Sequence, residues 1–263
     1  MNLKRNFAIL VLSILYPAIL FSQSKIVNNG AFYFSWGYNT EFYTRSDIKV
    51  SQPSLGNDFV FNNVKAHDHK GWNDHFFQKE LTVPQYNYRI GYFFNERQDL
   101  GIEINFDHTK YVVDSDQRIH LTGTFQNKQI DTSIVTDSNT FEWQLNNGAN
   151  FLEFNIVKKI KILTKWKNNI RLDALLKLGA GPVIPHVKNS IFGNDNSPHF
   201  QLGGWNIDAD AAFRLTFFKH IFLELFDKFV YARYWGLKLY QGNGRQAFGC
   251  YEMALVIGGT FKL

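Results

Sequence analysis

An acidic residue followed by a histidine and a threonine is the arrangement in this sequence that points most directly to catalysis. In FDHTKY, Asp107 could orient His108, and His108 could then accept a proton from Thr109 or from a serine elsewhere. Neighbouring residues of a β-strand, however, point to opposite faces, so adjacency alone does not pair this acid with this imidazole. We therefore predict no catalytic residue, and assign Asp107 to an internal ion pair and His108 to the outer rim of the fold.

A second group of chemically active side chains is the histidine-rich stretch KAHDHKGWNDH. His67, His69 and His75 lie here beside two aspartates, and such donors could hold Zn²⁺ or Cu²⁺. Their spacing matches no closed tetrahedral motif, so we interpret them as solvated loop histidines and keep them only as weak candidate metal ligands. No cofactor is predicted, because the sequence has neither a complete calcium loop nor a phosphate-binding or dinucleotide-binding fingerprint.

Charged residues also recur inside segments that are otherwise apolar. In NIDADAAFRLTFF, Asp208, Asp210 and Arg214 occupy alternate positions, and the positions between them are isoleucine, alanine, phenylalanine and leucine. Alternation with period two indicates a β-strand with one apolar and one polar face. In a soluble sandwich the charged face would meet water, whereas in a membrane barrel the apolar face meets lipid and the charged face meets the lumen.

The same alternation recurs along the chain and predicts an all-β fold. The predicted strands are 30–43, 84–95, 101–113, 148–160, 170–184, 206–218, 221–239 and 247–263. Long connections at about 44–84, 114–147 and 185–205 alternate with short ones, a rhythm typical of extracellular loops and periplasmic turns. Residues 25–263 are therefore predicted to form an eight-stranded antiparallel up-and-down transmembrane β-barrel, with both termini in the periplasm.

Residues 1–24 have the composition of a secretory signal peptide. Lys4 and Arg5 precede an apolar run from Phe7 to Phe21, and small and polar residues follow. The run is shorter than the roughly 20 apolar residues of a spanning helix, which disfavours a membrane anchor. Cys250 is the lone cysteine, so neither a disulfide nor an N-terminal lipid attachment site is expected.

Composition and charge exclude one class of partner. The formal net charge is +5 at pH 7, but the basic residues are scattered, so no nucleic-acid partner is predicted. Aromatic residues make up 17% of the chain and gather near the predicted strand ends, as in the interfacial girdle of a membrane barrel. The residues predicted for this girdle are Trp36, Tyr38, Tyr43, Tyr111, Tyr231, Tyr234, Trp235 and Tyr240.

The short turns predict which charges face each other, because a turn of known length fixes the register of its two strands. Trial registers at the three shortest connections bring residues of opposite sign together. The predicted lumen ion pairs are Arg214 with Glu224, Asp210 with Lys228, Arg89 with Asp107, and Glu153 with Lys177. We therefore expect a narrow lumen that is filled by mutually neutralising side chains and is not an open channel.

The eight-strand layout resembles the small outer-membrane barrels of the OmpA/OmpX type. The strings SWGYNTEFYTRSDI, PQYNYRIGYFFNE and DHTKYVV also resemble an uncharacterised family of outer-membrane proteins from Bacteroidota. This resemblance covers most of the mature chain. It implies a location in the outer membrane of a Gram-negative bacterium, in contact with lipid and lipopolysaccharide, and it implies no activity.

Three functions remain open on this basis. The favoured one is a monomeric, non-enzymatic barrel whose extracellular loops adhere to or recognise something outside the cell. The second is an outer-membrane enzyme acting on lipid A or phospholipid acyl chains, with His108 at the rim, although no His-x-Ser string of the lipid A deacylase type occurs. The third is a secreted soluble β-protein.

Overall fold

The computed structural model describes residues 30–71, 84–94, 99–166 and 169–262. In these ranges the chain is all-β apart from a short 3₁₀ helix at Pro53–Leu55. The strands are β1 (Ala31–Tyr43), β2 (Ser46–Gln52), β3 (Asn57–Val64), β4 (Ala66–His67), β5 (Tyr86–Phe93), β6 (Leu100–His108), β7 (Tyr111–Val113), β8 (Arg118–Phe125), β9 (Lys128–Val135), β10 (Phe141–Leu145), β11 (Phe151–Lys165), β12 (Ile170–Pro182), β13 (Lys188–Ile191), β14 (Asn194–Asp195), β15 (Gly204–Phe217), β16 (Ile221–Leu239) and β17 (Gly242–Lys262). No helix within the described ranges is long and apolar enough to cross a bilayer.

Eight of these strands close into a ring. The ladder runs β1, β5, β6, β11, β12, β15, β16 and β17, and β17 pairs back onto β1. All the pairings are antiparallel. In the closing pair, Ala31 lies opposite Lys262 and Tyr43 lies opposite Cys250, so the contact runs the full length of β1. The eight-stranded antiparallel up-and-down barrel predicted from the sequence is confirmed.

Side chains alternate between the lumen and the outer surface of the ring because successive residues of a strand point to opposite faces. The outward set is mostly apolar on all eight strands, and its exposed large side chains range from 37% exposure for Tyr88 on β5 to 67% for Leu178 on β12. The inward set is buried and rich in polar and charged residues. An apolar exterior around a polar interior is the reverse of a soluble protein and is the pattern of a barrel surrounded by lipid.

The two ends of the ring differ in their connections. At one end, Phe218 and Lys219 turn the chain between β15 and β16 with positive φ angles of 50° and 70°. A connection of four residues, 166–169, joins β11 to β12 at the same end. Because Ala31 pairs with Lys262, the start of β1 and the finish of β17 also lie here. We call this the turn end.

At the opposite end, segments that the sequence leaves as loops contain further strands. The hairpin of β16 and β17 continues beyond the ring, and β2 pairs with its outer part at Asn243–Gln246. Strands β3, β8 and β9 extend this sheet in that order, while β14, β13, β10, β7 and β4 form a second sheet. We call these strands, with the β16–β17 hairpin from Tyr234 to Gln246, the head.

The head has a hydrophobic core that extends into the adjoining end of the ring. Trp143 is completely buried, and its indole nitrogen donates a hydrogen bond to Gln246 Oε1 at 3.0 Å. The rings of Phe61 and Phe141 stack with their centroids 3.8 Å apart. Because each fully buried phenylalanine side chain stabilises a fold by roughly 1.5–3 kcal/mol, this packing makes the head a folded unit.

Three residues predicted for the aromatic girdle belong to this core instead. Tyr43, Tyr111 and Tyr234 surround Phe248, with ring centroids 5.2, 4.8 and 5.3 Å from its centroid. The prediction of a girdle position is wrong for these three, because the additional strands of the head cover them. Of the other residues predicted for the girdle, Trp36 and Tyr38 are half-buried on β1, Tyr231 is exposed on β16, and Trp235 and Tyr240 are exposed within the head.

Candidate functional site

The lumen of the ring contains the residues that the sequence predicts as ion-pair members. All of them lie on inward positions of ring strands and are buried. They are Arg89 on β5, Asp107 on β6, Glu153 on β11, Lys177 on β12, Asp210 and Arg214 on β15, and Glu224 and Lys228 on β16. Period-two alternation places a residue on a face locally, so the face of each could be read from the sequence.

The register predicted across the tightest turn matches the structure. Arg214 lies opposite Glu224, and Asp210 lies opposite Lys228. Arg214 Nε donates to Glu224 Oε2 at 2.6 Å. Asp210 and Lys228 nevertheless make their ion pairs elsewhere, and Asp210 Oδ2 accepts a hydrogen bond from Arg89 Nη1 at 2.7 Å. The cross-strand register therefore predicts the ion pair of Arg214 with Glu224 correctly, whereas Asp210 and Lys228 lie opposite each other without forming an ion pair.

The register predicted for the second and third segments is wrong by two residues. Arg89 lies opposite Asn105, and Asp107 lies opposite Asn87. The ladder between β5 and β6 ends at the pair Phe93 and Gly101, a longer connection than the prediction assumed. A shift of two residues keeps every side chain on its face, which is why these charges still point into the lumen.

The register predicted for the fourth and fifth segments is also wrong. Lys177 lies opposite Val157, and Glu153 faces Asn105 on the other neighbouring strand. The ladder between β11 and β12 continues to Lys165 and Ile170, so the turn is shorter than assumed. An irregularity in the ladder just before this turn reverses one residue of this offset, so the observed pairing differs from the predicted one by four residues.

A central cluster in the lumen contains equal numbers of cations and carboxylates. Its members are Arg89, Lys177 and Arg214 with Glu103, Asp210 and Glu224. Lys177 Nζ lies 2.8 Å from Glu224 and 3.3 Å from Glu103, so each lysine and arginine is held by at least one carboxylate. Glu103 also accepts a hydrogen bond from Tyr33 at 2.8 Å. The charges balance, as a buried ionic cluster requires.

A second cluster, on the head side of the first, has an excess of carboxylates. Lys228 is its cation, and it forms ion pairs with Asp107, with Glu153 at 3.0 Å and with Glu252 at 3.1 Å. Glu41 lies directly opposite Glu252 in the β1–β17 ladder and is also buried. The sequence prediction did not include Glu103, Glu41 or Glu252, although all three occupy the polar face of a predicted strand.

An apolar layer separates the central cluster from the turn end. Tyr33, Phe93 and Phe222 pack together there, and the Arg214 guanidinium lies 4.0 Å from the Phe222 ring centroid and 4.3 Å from that of Tyr33. The Arg89 guanidinium is similarly placed 3.7 Å from the Phe226 ring centroid. Gly91 makes room for this layer, because a Cβ atom there would overlap the Tyr33 ring. Side chains thus fill the lumen from this layer to the head-side cluster.

The two candidate metal ligands within the described residues have different partners. His67 Nδ1 lies 2.6 Å from Asp114 Oδ1, whereas His69 Nδ1 lies 3.1 Å from Asn146 Oδ1. His75 lies outside the described residues. Partial burial raises the pKa of Asp114, but hydrogen bonds from His67 and Lys65 outweigh this effect and leave that pKa lowered. His67 therefore forms a hydrogen bond with Asp114, which joins β4 to the segment after β7.

His108 lies on the outward face at the end of β6 and is half-buried. Its ring stacks on that of Tyr86 with the centroids 4.8 Å apart, and its Nδ1 lies 2.9 Å from Asn150 Oδ1. Asp107 points into the lumen instead, as the strand alternation predicts. The structure therefore gives this acid and this histidine separate partners.

No protein-family model matches the chain, and no curated protein matches it. Among solved structures, Ail, the attachment invasion locus protein of Yersinia pestis, solved with the heparin analogue sucrose octasulfate, is 15% identical. That alignment covers 89% of this chain and 99% of Ail, with a TM-score of 0.32. Neisserial surface protein A is 10% identical over 88% of this chain and 99% of its own, with a TM-score of 0.34. The outer membrane protein OprG of Pseudomonas aeruginosa is 9% identical over 90% of this chain and 98% of its own, with a TM-score of 0.42.

Proposed function

We propose that this protein is an outer-membrane barrel of a Gram-negative bacterium that holds a folded β-head outside the cell for adhesion or surface recognition. The observation that carries this proposal is the closed ring with an apolar exterior, continued at one end into a head whose hydrophobic core extends into the adjoining end of the ring. The ring provides the anchor and the head provides the binding surface. Neither requires a cofactor.

The packing of the lumen favours display over transport. A small barrel conducts only if its interior leaves a water-filled path, and here two ionic clusters and an aromatic layer occupy the interior. Such a barrel can act through its outer surface and its two ends. The head is the larger of the two ends, and its β8–β9 hairpin lies at the edge of the twelve-stranded sheet, with β9 exposed along most of its length.

The proposal includes an orientation and a lipid environment. Residues 1–24 would serve as a cleaved signal peptide, and the turn end, with both chain ends of the barrel, would face the periplasm. The apolar band would contact lipid acyl chains, and its head-side margin would contact lipopolysaccharide. Membership of the Bacteroidota family and a monomeric state remain predictions from the sequence.

Surface labelling of intact cells tests this orientation. One epitope is inserted between Gln126 and Asn127, in the β8–β9 turn, and a matched epitope between Phe218 and Lys219, at the turn end. We expect an antibody to label intact cells only with the first insertion, and permeabilised cells with both. Labelling of intact cells through the 218–219 insertion alone would reverse the orientation.

A head variant tests adhesion or recognition. Residues 118–135 are replaced by a Gly-Ser link, which removes β8 and β9 and leaves every ring strand unchanged. Cells producing the full protein are expected to bind at least one component of a panel of glycans and extracellular matrix proteins more strongly than cells producing the variant. Equal binding across the panel, with an intact ring verified by heat-modifiable migration, would count against recognition by this part of the head.

A further inference from the structure

The turn end of the lumen opens into a basic cavity of about 700 Å³. Six basic side chains line it, and they are Lys158, Lys159, Lys161, Arg171, Lys219 and Lys262. Two acidic side chains also line it, so the formal charge of the lining is six minus two, or +4. A water-filled cleft with low-dielectric walls concentrates the field of charges of one sign, and this cavity therefore attracts anions.

The two acidic residues neutralise only part of this charge. Asp99 Oδ2 lies 3.2 Å from Lys158 Nζ, and Asp173 Oδ2 lies 2.7 Å from Arg171 Nε. Lys159 is 6% exposed, and no carboxylate of the described residues lies within ion-pair distance of its ammonium group. A buried ammonium group without a counter-ion is costly, and an anion in the cavity would remove that cost.

Hydroxyl groups complete the set of donors. Thr216 is 2% exposed and Thr164 is partly buried, yet neither Oγ1 atom has a hydrogen-bond partner within the described ranges. Both threonines line the cavity together with Lys159. Below them the Phe93 ring closes the lumen, with its centroid 4.1 Å from Lys159 Nζ. A ligand would therefore enter from the turn end and meet the buried lysine at the floor.

We propose that this cavity binds a phosphate group. The cavity offers compact lysine ammonium charges and hydroxyl donors, which suit a multiply charged oxyanion with several acceptor oxygens. The phosphate could be carried by a soluble phosphate compound or by a phospholipid headgroup at the barrel margin. The site is independent of the head, and it does not depend on the function proposed for the head.

Binding of two probes distinguishes these sources. Inorganic pyrophosphate is titrated into the full-length protein in a maltoside detergent by isothermal calorimetry. Separately, retention of phosphatidylglycerol against phosphatidylcholine is measured by native mass spectrometry. The variants are Lys159→Gln, Thr216→Val and, as a matched control, Lys165→Gln, which removes the same charge at the same end but outside the cavity lining.

We expect Lys159→Gln to weaken binding of the recognised probe about tenfold, the equivalent of one charge-assisted hydrogen bond, and Lys165→Gln to change it by less than about twofold. Thr216→Val keeps the charge and shape, and it should weaken binding severalfold while preserving heat-modifiable migration. Binding of pyrophosphate identifies a soluble source, and selective retention of phosphatidylglycerol identifies a lipid source. Absence of both, or equal losses in Lys159→Gln and Lys165→Gln, would overturn the proposal.

Discussion

Individual charges in the lumen differ in how completely their neighbours satisfy them. In the central cluster Glu224 receives both Arg214 and Lys177, whereas in the head-side cluster Lys228 alone serves several carboxylates. Removal of one member of a buried ionic group leaves its partner charged and poorly hydrated, so the penalty depends on the partners that remain. The loss of unfolding free energy on substitution therefore shows which of these charges the fold requires.

Arg214→Ala should destabilise the barrel by about 3 kcal/mol, because it leaves Glu224 with Lys177 as its one remaining cation. The double variant Arg214→Ala with Glu224→Ala should recover part of this loss, since Lys177 keeps Glu103 and Asp210. Reversible urea unfolding from lipid vesicles measures the unfolding free energies of the parent, of the single variants Arg214→Ala and Glu224→Ala, and of the double variant. Strictly additive losses would show that Arg214 and Glu224 do not interact.

Lys228→Met should be more damaging than a chemically identical change at the surface. The variant leaves Asp107, Glu153 and Glu252 without their cation and should cost about 3–5 kcal/mol. Lys49→Met is the control, because Lys49 pairs with Asp58 at 2.9 Å in a solvent-exposed position and should lose under about 1 kcal/mol. Similar losses of unfolding free energy in the two variants would contradict the burial of the Lys228 cluster.

The Asp114 ion pair predicts a pH dependence in the head. Because the pKa of Asp114 is lowered in the folded state, its contribution is present above the unfolded pKa of about 3.9 and is lost as the pH falls through the lower folded pKa. Asp114→Asn should therefore weaken the β4–β7 pairing at pH 7 and make a smaller difference at pH 3. Amide exchange of Ala66 and Val113, which lie opposite each other, reports this pairing. A difference that persists undiminished at pH 3 would contradict the assignment.

Among the elements, β16 and β17 link the ring to the head. Their paired segments are longer than a ring wall needs, so they carry the ladder past the barrel and offer β2 an edge on which to pair. The pairing shifts between Tyr234 and Leu237, and Gly236 there has a positive φ of 65°. Such irregularities bend a strand and increase its twist. The hairpin can thereby leave the ring and join the sheet of the head.

Closure of the ring through β1 and β17 can be tested by crosslinking. Trp36 and Ile257 lie opposite each other on the outer face, so the pair Trp36→Cys with Ile257→Cys should form a disulfide under mild oxidation. The pair Trp36→Cys with Leu255→Cys is displaced along the strand by two residues and should crosslink poorly, because diagonal neighbours lie about 7–8 Å apart. Both pairs are made with Cys250→Ala. Preferential crosslinking of the displaced pair would refute the register.

For the whole molecule, the lumen contents and the head favour an anchored display protein over a channel. The exterior of the ring is apolar, the interior is closed by ionic and aromatic layers, and the head is held by strands that are continuous with the ring wall. The recognition proposed for the head would therefore not depend on passage of any solute through the barrel. A transport channel and a closed display barrel differ in the ion conductance they give to a bilayer.

The protein reconstituted in planar bilayers should show no sustained ion conductance, because two ionic clusters and an aromatic layer occupy the described lumen. Single-channel recording over a range of voltages measures this, with a known porin as positive control. The triple variant Tyr33→Ala, Phe93→Ala and Phe222→Ala removes the aromatic layer at the turn end and should raise the probability of brief openings. Stable conductance by the unmodified protein would contradict a closed lumen.

The sequence by itself determined the ring strands and the face on which each charge lies. Alternation is a local property, since successive side chains of a strand point to opposite sides whatever the strand pairs with. It also determined the register at the tightest turn, where Arg214 meets Glu224. Backbone geometry that residue types do not encode decided the longer connection before Leu100 and the irregularity near Lys161. Because each of these features changes a register, Arg89 and Lys177 have partners other than those predicted.

The tertiary structure alone decided that the long connections fold into a head. The partners in its core are far apart in the chain, as when Phe61 stacks on Phe141 or Trp143 bonds to Gln246. Short strands in polar, turn-rich sequence carry too little periodicity to be recognised individually. These strands are stabilised by packing between two sheets, and no local sequence pattern specifies that packing. The basic cavity at the turn end has the same origin, because ring closure brings Thr216 and Lys262 to the same opening as Lys159.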